Sequence, residues 1–171
     1  MCVLVTNFLN TDMNQLLNLL RRNARQSDAN LAAQISSTEE AVASQIAAWE
    51  EDGTIRGYRA MIDPALDDDD DVTAFIEVRL TPERGGGFDR LARRISRFDQ
   101  ITSCYLISGG YDLLVMVEGK DLLSVAAFVS EKLSTIEGVI STATHFRLKS
   151  YKEKGFIFGE NVDTSRLPVV P

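Results

Sequence analysis

From Val72 onward, apolar residues recur at every second position: Val72, Ala74, Ile76, Val78 and Leu80 alternate with Thr73, Glu77 and Arg79. A segment patterned this way buries one face and wets the other, so it folds as a strand of a half-covered sheet. The period then switches. Phe88, Leu91, Ala92 and Ile95 repeat at helical spacing as far as about Arg97, and Ile101 to Ile107 is β-branched and aromatic, a second strand. Ser108-Gly109-Gly110-Tyr111 reads as a turn, and the apolar run inside Asp112–Glu118 suits a central strand. Asp121 is placed to cap a helix carrying Leu122, Val125, Ala126, Val129 and Leu133. Val139 to Lys149 closes the series, with Ile140, Thr142, Thr144, Phe146 and Leu148 on one face. Two consecutive halves of about 40 residues in the order β-α-β-β-α-β make a ferredoxin-like domain, an antiparallel sheet with helices on one side. The other side needs cover. Thr142, Thr144, Tyr105, Leu113 and Val115 read as a mixed face for that purpose, and a homodimer is the simplest closure.

The preceding segment reads as three short helices. Met13, Leu16, Leu17, Leu19 and Leu20 form a stripe that ends near Arg21-Arg22-Asn23. Ser27 caps a second helix with Leu31, Ala32 and Ile35 on one face. Ser37 with Glu40 fits a capping box for a third, in which Ala41, Val42, Ile46 and Trp49 face inward and Asp52-Gly53 stops the helix. Thr54 to Pro64 alternates roughly and predicts a short β-wing. Five aspartates, Asp67 to Asp71, then mark a solvated linker; a calcium loop is the sharper alternative, but the glycine and glutamate that it needs do not follow. The expected division is 1–64, a winged helix-turn-helix; 65–71, an acidic linker; 72–150, the ferredoxin-like domain; and 151–171, a tail.

The formal net charge of −7 argues against a uniformly basic surface, not against a local basic patch. No apolar run is long enough to span a membrane, and Met1 to Phe8 lacks the basic start of a signal peptide. Cys2 and Cys104 lie far apart and make no metal spacing, which predicts reduced thiols in a cytoplasmic protein.

Taken together, the three-helix unit, EEDGTIRGYRAMIDP (50–64), ISGGYDLLVMVEG (107–119) and STATHFRLKSYKEKG (141–155) resemble the Lrp/AsnC regulators over roughly residues 9–155. The resemblance implies a DNA-reading winged helix-turn-helix and a ferredoxin-like domain that dimerises, with tetramers or octamers as larger assemblies. It implies an amino acid or related small effector at a subunit interface, here held by Ser108, Gly109, Gly110, Tyr111 and Asp112 and by the hydroxyls of Thr142 and Thr144. Two glycines let backbone approach a ligand, exposed N–H groups there suit a carboxylate, and Asp112 suits an ammonium. The bland alternative is a hairpin turn capped by Asp112.

The third helix departs from the family pattern. Thr38 to Glu51 holds four glutamates and neither Lys nor Arg, so it repels phosphate. Thr38, Ser44 and Gln45 remain to reach base edges, and Arg21, Arg22, Arg25, Arg56 and Arg59 to grip backbone from the flanks. The expectation is weak or conditional binding to double-stranded DNA; the alternative is an effector-binding assembly module whose acidic helix-turn-helix has lost that role. An enzyme is not expected. Some proteins that resemble this family decarboxylate a tetrapyrrole with His and Arg residues, but the single histidine, His145, has no evident acid or base partner. No Ser-His-Asp set, metal cluster or cofactor motif is present, and Arg84-Gly85-Gly86-Gly87 lacks the Lys-Ser/Thr of a phosphate loop.

Overall fold

The computed structural model describes residues 14–63, 71–82 and 87–159. The expectations for Met1 to Phe8, Met13, the boundary at Pro64 to Asp70, most of the glycine-rich segment Arg84–Gly87 and the end of the tail lie outside these residues. The chain divides into two compact units, meeting in sequence between Ala60 and Met61.

The first unit holds α1 (14–22), α2 (Asp28–Ile35) and α3 (Glu39–Glu51). Leu16, Leu20, Leu31, Ala32, Val42 and Trp49 are its buried core, with Ile35 and Ile46 packed against it. The Ser27 hydroxyl accepts from the Asn30 amide and starts α2. The cap of α3 is Thr38, not Ser37: the Thr38 hydroxyl accepts from the Ala41 N–H at 3.2 Å, so the helix opens one residue later. Ala41 accordingly lies exposed rather than inward. Gly53, at φ 75°, ends α3 in the left-handed region as its spacing predicts. Beside it, the Thr54 hydroxyl and N–H hold the Asp52 carboxyl below the usual carboxylate range. A carboxylate lowered in this way favours the fold at neutral pH, and that contribution disappears as pH falls through the lowered value.

No β-wing forms over residues 54–63: none of them pairs in a ladder. Alternation sets the faces of a strand but does not supply a partner. Tyr58 instead turns back to donate its hydroxyl to Glu50 of α3 at 2.9 Å.

The second unit runs β1 (Val72–Leu80), α4 (Asp89–Ile95), β2 (Ile101–Leu106), β3 (Leu113–Gly119), α5 (Leu122–Ala127) and β4 (Val139–Phe146). A small hairpin follows, β5 (Lys152–Glu153) with β6 (Phe156–Ile157). The four main strands are antiparallel in the order β2-β3-β1-β4, the ferredoxin-like arrangement. Antiparallel pairing puts opposite residues on one face. The rows Cys104–Val115–Ile76–Thr144 and Leu113–Val78–Thr142 therefore share the side on which Leu91, Ile95, Val125, Phe128 and Leu133 close the core.

The helix after β3 differs from the expected stripe. Asp121 and Ser124 form a reciprocal cap, but Leu122 and Ala126 are exposed and Phe128 is buried. Residues Phe128–Leu133 continue α5 as a π-helical turn, closed by the Ser134 amide on the Val129 carbonyl at 2.8 Å. The wider turn re-aims the apolar face, and Phe128 meets Phe98 edge to face with ring centroids 5.4 Å apart. Gly138, at φ 95°, lies where a Cβ would come within 2.7 Å of Leu91, so this position needs glycine for both conformation and space.

Cys104, on the core side of β2, has its thiol pushed up by burial. We expect alkylation of Cys104 in the folded chain to be slow near neutral pH and to accelerate as pH rises. Quantifying the labelled peptide by mass spectrometry checks this; labelling as fast as in denaturant contradicts it.

Candidate effector corner and nucleic-acid face

The loop joining β2 to β3 is pinned at both ends. The Ile107 amide donates to the Asp112 carbonyl at 2.8 Å, and the Asp112 amide to the Val78 carbonyl at 3.0 Å. The Asp112 side chain then accepts from the Leu80 amide at 2.7 Å. That amide lies beyond the last β1–β3 pair, Val78 with Leu113, and beside the irregularity in the β1–β4 register at Arg79/Leu80. Asp112 thus has a structural task, satisfying a strand-end N–H that the ladder leaves over.

Gly109 and Gly110 contrast with this. Neither sits in the left-handed region; among the described residues a Cβ on Gly110 would meet nothing within 4 Å, and one on Gly109 would only touch Ile107 at 4.0 Å. Neither backbone strain nor packing against the described residues asks for glycine here. Ser108, Gly109 and Gly110 are exposed, and Tyr111 and Asp112 half-buried.

Thr142 and Thr144 lie two strands away, paired with Val78 and Ile76. The register thus places Thr142 at the same end of the sheet as the loop, across β1 from Leu113. Both threonines are half-buried on the helix side, and Thr142 shares a hydrogen bond with the Ser134 hydroxyl at 3.2 Å. Ser134 was not apparent from the sequence, because only the π-helical turn brings it against β4.

The same register corrects the expected dimerisation face. Thr142, Thr144, Leu113 and Val115 point to the helices, and Leu113 and Val115 are core residues with no exposed surface. Of the expected set only Tyr105 belongs to the opposite face, which carries the rows Tyr105–Leu114–Glu77–Ala143 and Ser103–Met116–Phe75–His145. Its apolar side chains Phe75, Leu114 and Met116 are half-buried, and Tyr105 is 51% exposed. His145 Nε2 stands 3.4 Å from Glu77 Oε1, so the histidine has an acidic partner that the sequence did not reveal.

In the first unit, Arg21, Arg22, Arg25, Thr38, Ser44, Arg56 and Arg59 are exposed, and Gln45 is half-buried. Thr38 is engaged as a helix cap, and Arg21 donates to Asn18 at 3.4 Å. Glu39, Glu40, Glu50 and Glu51 are all exposed on α3. No group of three or more potential metal ligands occurs among the described residues.

Residues 73–156 match the Lrp/AsnC ligand binding domain. The chain is 42% identical over 158 residues to the HTH-type transcriptional regulator YugG of Bacillus subtilis, covering 92% of this chain and 95% of that protein. It is 30% identical to the proline dehydrogenase transcriptional activator of Rhodobacter capsulatus, covering 88% of this chain and 97% of the relative. A transcriptional regulator of Neisseria meningitidis, solved as its L-Met complex, shares the fold with a TM-score of 0.64 at 23% identity, covering 84% of this chain and 91% of its own.

Proposed function

The chain belongs to the Lrp/AsnC family of transcriptional regulators, and from that premise we propose that it binds double-stranded DNA through its first unit and an amino acid or related small molecule at the 107–112 corner of its second. The observation that carries the effector site is the pair Gly109-Gly110, whose missing side chains make room for no other described residue. A backbone left bare on the outside suits a ligand that comes against its N–H groups. Asp112 can still offer a carboxylate oxygen to an ammonium while it holds the Leu80 amide. Thr142 and Ser134 supply hydroxyls at the same end of the sheet. The L-Met found in the Neisseria regulator supports an amino acid as the class of ligand.

The face bearing Phe75, Leu114, Met116 and Tyr105 is closed by a second copy, and the corner is completed across that dimer. Tetramers or octamers are further assemblies of the same unit. The protein acts by binding rather than by catalysis and works in the cytoplasm. His145 pairs with Glu77 on the sheet's open face, in a row apart from the glycine corner.

DNA contact falls to Ser44 and Gln45 on α3 and to the exposed Arg21, Arg22, Arg25, Arg56 and Arg59. The four exposed glutamates of α3 favour a second reading, in which the helix-turn-helix packs against other proteins. DNA binding by the full chain separates the two.

A thermal-shift screen with the common amino acids tests the effector site. A ligand at a hundred times its Kd adds about 2.7 kcal/mol, several degrees for a chain of this size. One or a few amino acids should raise Tm. The Gly110→Ala variant should keep the unliganded Tm, with stability changed by no more than about 0.5 kcal/mol, and lose the shift. No shift with any amino acid, or an undiminished one in the variant, contradicts the site.

A further inference from the structure

On α4 and the turn that follows it, Arg90, Arg93, Arg94 and Arg97 are spaced i, i+3, i+4 and i+7. That spacing lines four side chains along one helical face. The opposite face belongs to the core: Leu91 and Ile95 are buried, and Phe88 and Ala92 pack against the same cluster. Although the helix ends at Ile95, the Arg97 and Phe98 amides bond to the carbonyls of Arg94 and Ile95 at 3.4 and 3.2 Å. The chain thus keeps turning and carries Arg97 into the stripe. Arg93, Arg94 and Arg97 are exposed, and none of the three stands in an ion pair among the described residues.

Four cations within about 10 Å of helix repel one another and weaken the helix that bears them. Among the described residues, no side chain of the core engages Arg93, Arg94 or Arg97. They stand in a chain of net charge −7, so the concentration on one face is local. All four are arginine, whose planar fork matches phosphate oxygens two at a time, whereas the five lysines lie elsewhere.

We propose that this stripe is a second DNA-backbone contact, on the second unit, neutralising phosphates that α3 cannot. Helix α3 has no Lys or Arg between Glu39 and Glu51. Duplex DNA carries one charge per about 1.7 Å of axis, so a stripe of this length spans several phosphates. The contact is blind to sequence; it adds affinity and salt dependence, and leaves base reading to the first unit. This rests on the reading of the chain as a DNA-binding regulator.

The test is a fluorescence-anisotropy titration of the full chain onto a labelled mixed-sequence duplex of about 60 base pairs, between about 50 and 200 mM salt. Combined Arg93→Ala, Arg94→Ala and Arg97→Ala should lower the exponent of log affinity against log salt by about 2 to 3. Lysine at the same three positions should restore it, and Lys132→Ala should leave it at the parent value. If the triple alanine variant does not fold, Arg94→Gln alone should lower the exponent by about 0.9. An unchanged exponent in variants that bind overturns the stripe and spares the DNA-binding reading. A change confined to salt-dependent self-association also overturns it, and assigns the stripe to acidic protein surface. No binding by the parent protein overturns both readings together.

Discussion

Leu114→Asp should leave the protein folded and monomeric at micromolar concentrations where the proposed interface makes the parent a dimer. Leu114 sits on the central strand β3, between Tyr105 and Glu77 on the sheet face away from the helices. It is half-buried, so a carboxylate there stays hydrated in the lone protomer. In the dimer it would be sealed against a second copy beside the existing Glu77. Leaving one buried charge uncompensated costs about 3–5 kcal/mol, and a two-fold interface carries the substitution twice. The dissociation constant should rise by at least about a hundredfold. Sedimentation velocity reads the mass, and circular dichroism confirms the fold. A variant that remains a dimer places the interface elsewhere.

The second large effect separates two duties of one residue. Asp112→Asn keeps an oxygen for the Leu80 amide but removes the charge offered to an ammonium. Unliganded stability should change by less than about 1 kcal/mol. Binding should weaken by about 1.5–3 kcal/mol, roughly ten- to a hundredfold, the worth of a hydrogen bond to a charged group. Asp112→Ala also abandons the Leu80 amide, so it should lose the ligand and a further 1–3 kcal/mol of stability, approximately. Chemical denaturation measures the stability, and calorimetric titration with the stabilising amino acid measures the affinity. Equal affinity in parent and asparagine variant would remove Asp112 from the site and leave it as a strand-end cap.

Element order in the second unit was legible because period 2 and period 3.6 are different patterns, and the runs are long enough to show them. The faces of the strands were not equally legible. In β3 every residue from Leu113 to Val117 is apolar, so alternation vanishes and parity is hidden. In β4 polar residues occupy both sides, Thr142 and Thr144 on one and Ser141 and His145 on the other. A slip of one position then exchanges core for interface, so the letters alone put Leu113 and Val115 on the wrong face. Pairing with Ile76 and Val78 decides the matter, and pairing is non-local. The wing failed for a related reason: Tyr58 found Glu50 on a helix, a contact no alternation encodes. The glycine corner is legible as a turn, but only the open space around Gly110 among the described residues shows that their packing does not require it. The arginine spacing on α4 is present in the letters; its meaning depends on which helical face the core takes.

The most direct measurement of the central claim is anisotropy of a labelled duplex titrated with the full chain at about 50 mM salt, with and without the amino acid that raises Tm. Binding should appear in the micromolar range, and the amino acid should shift the midpoint by about fivefold or more in one direction, the size of an ordinary coupling between sites. No binding in either condition at tens of micromolar protein, or identical curves in both, would contradict a regulator that reads a small molecule and acts on DNA.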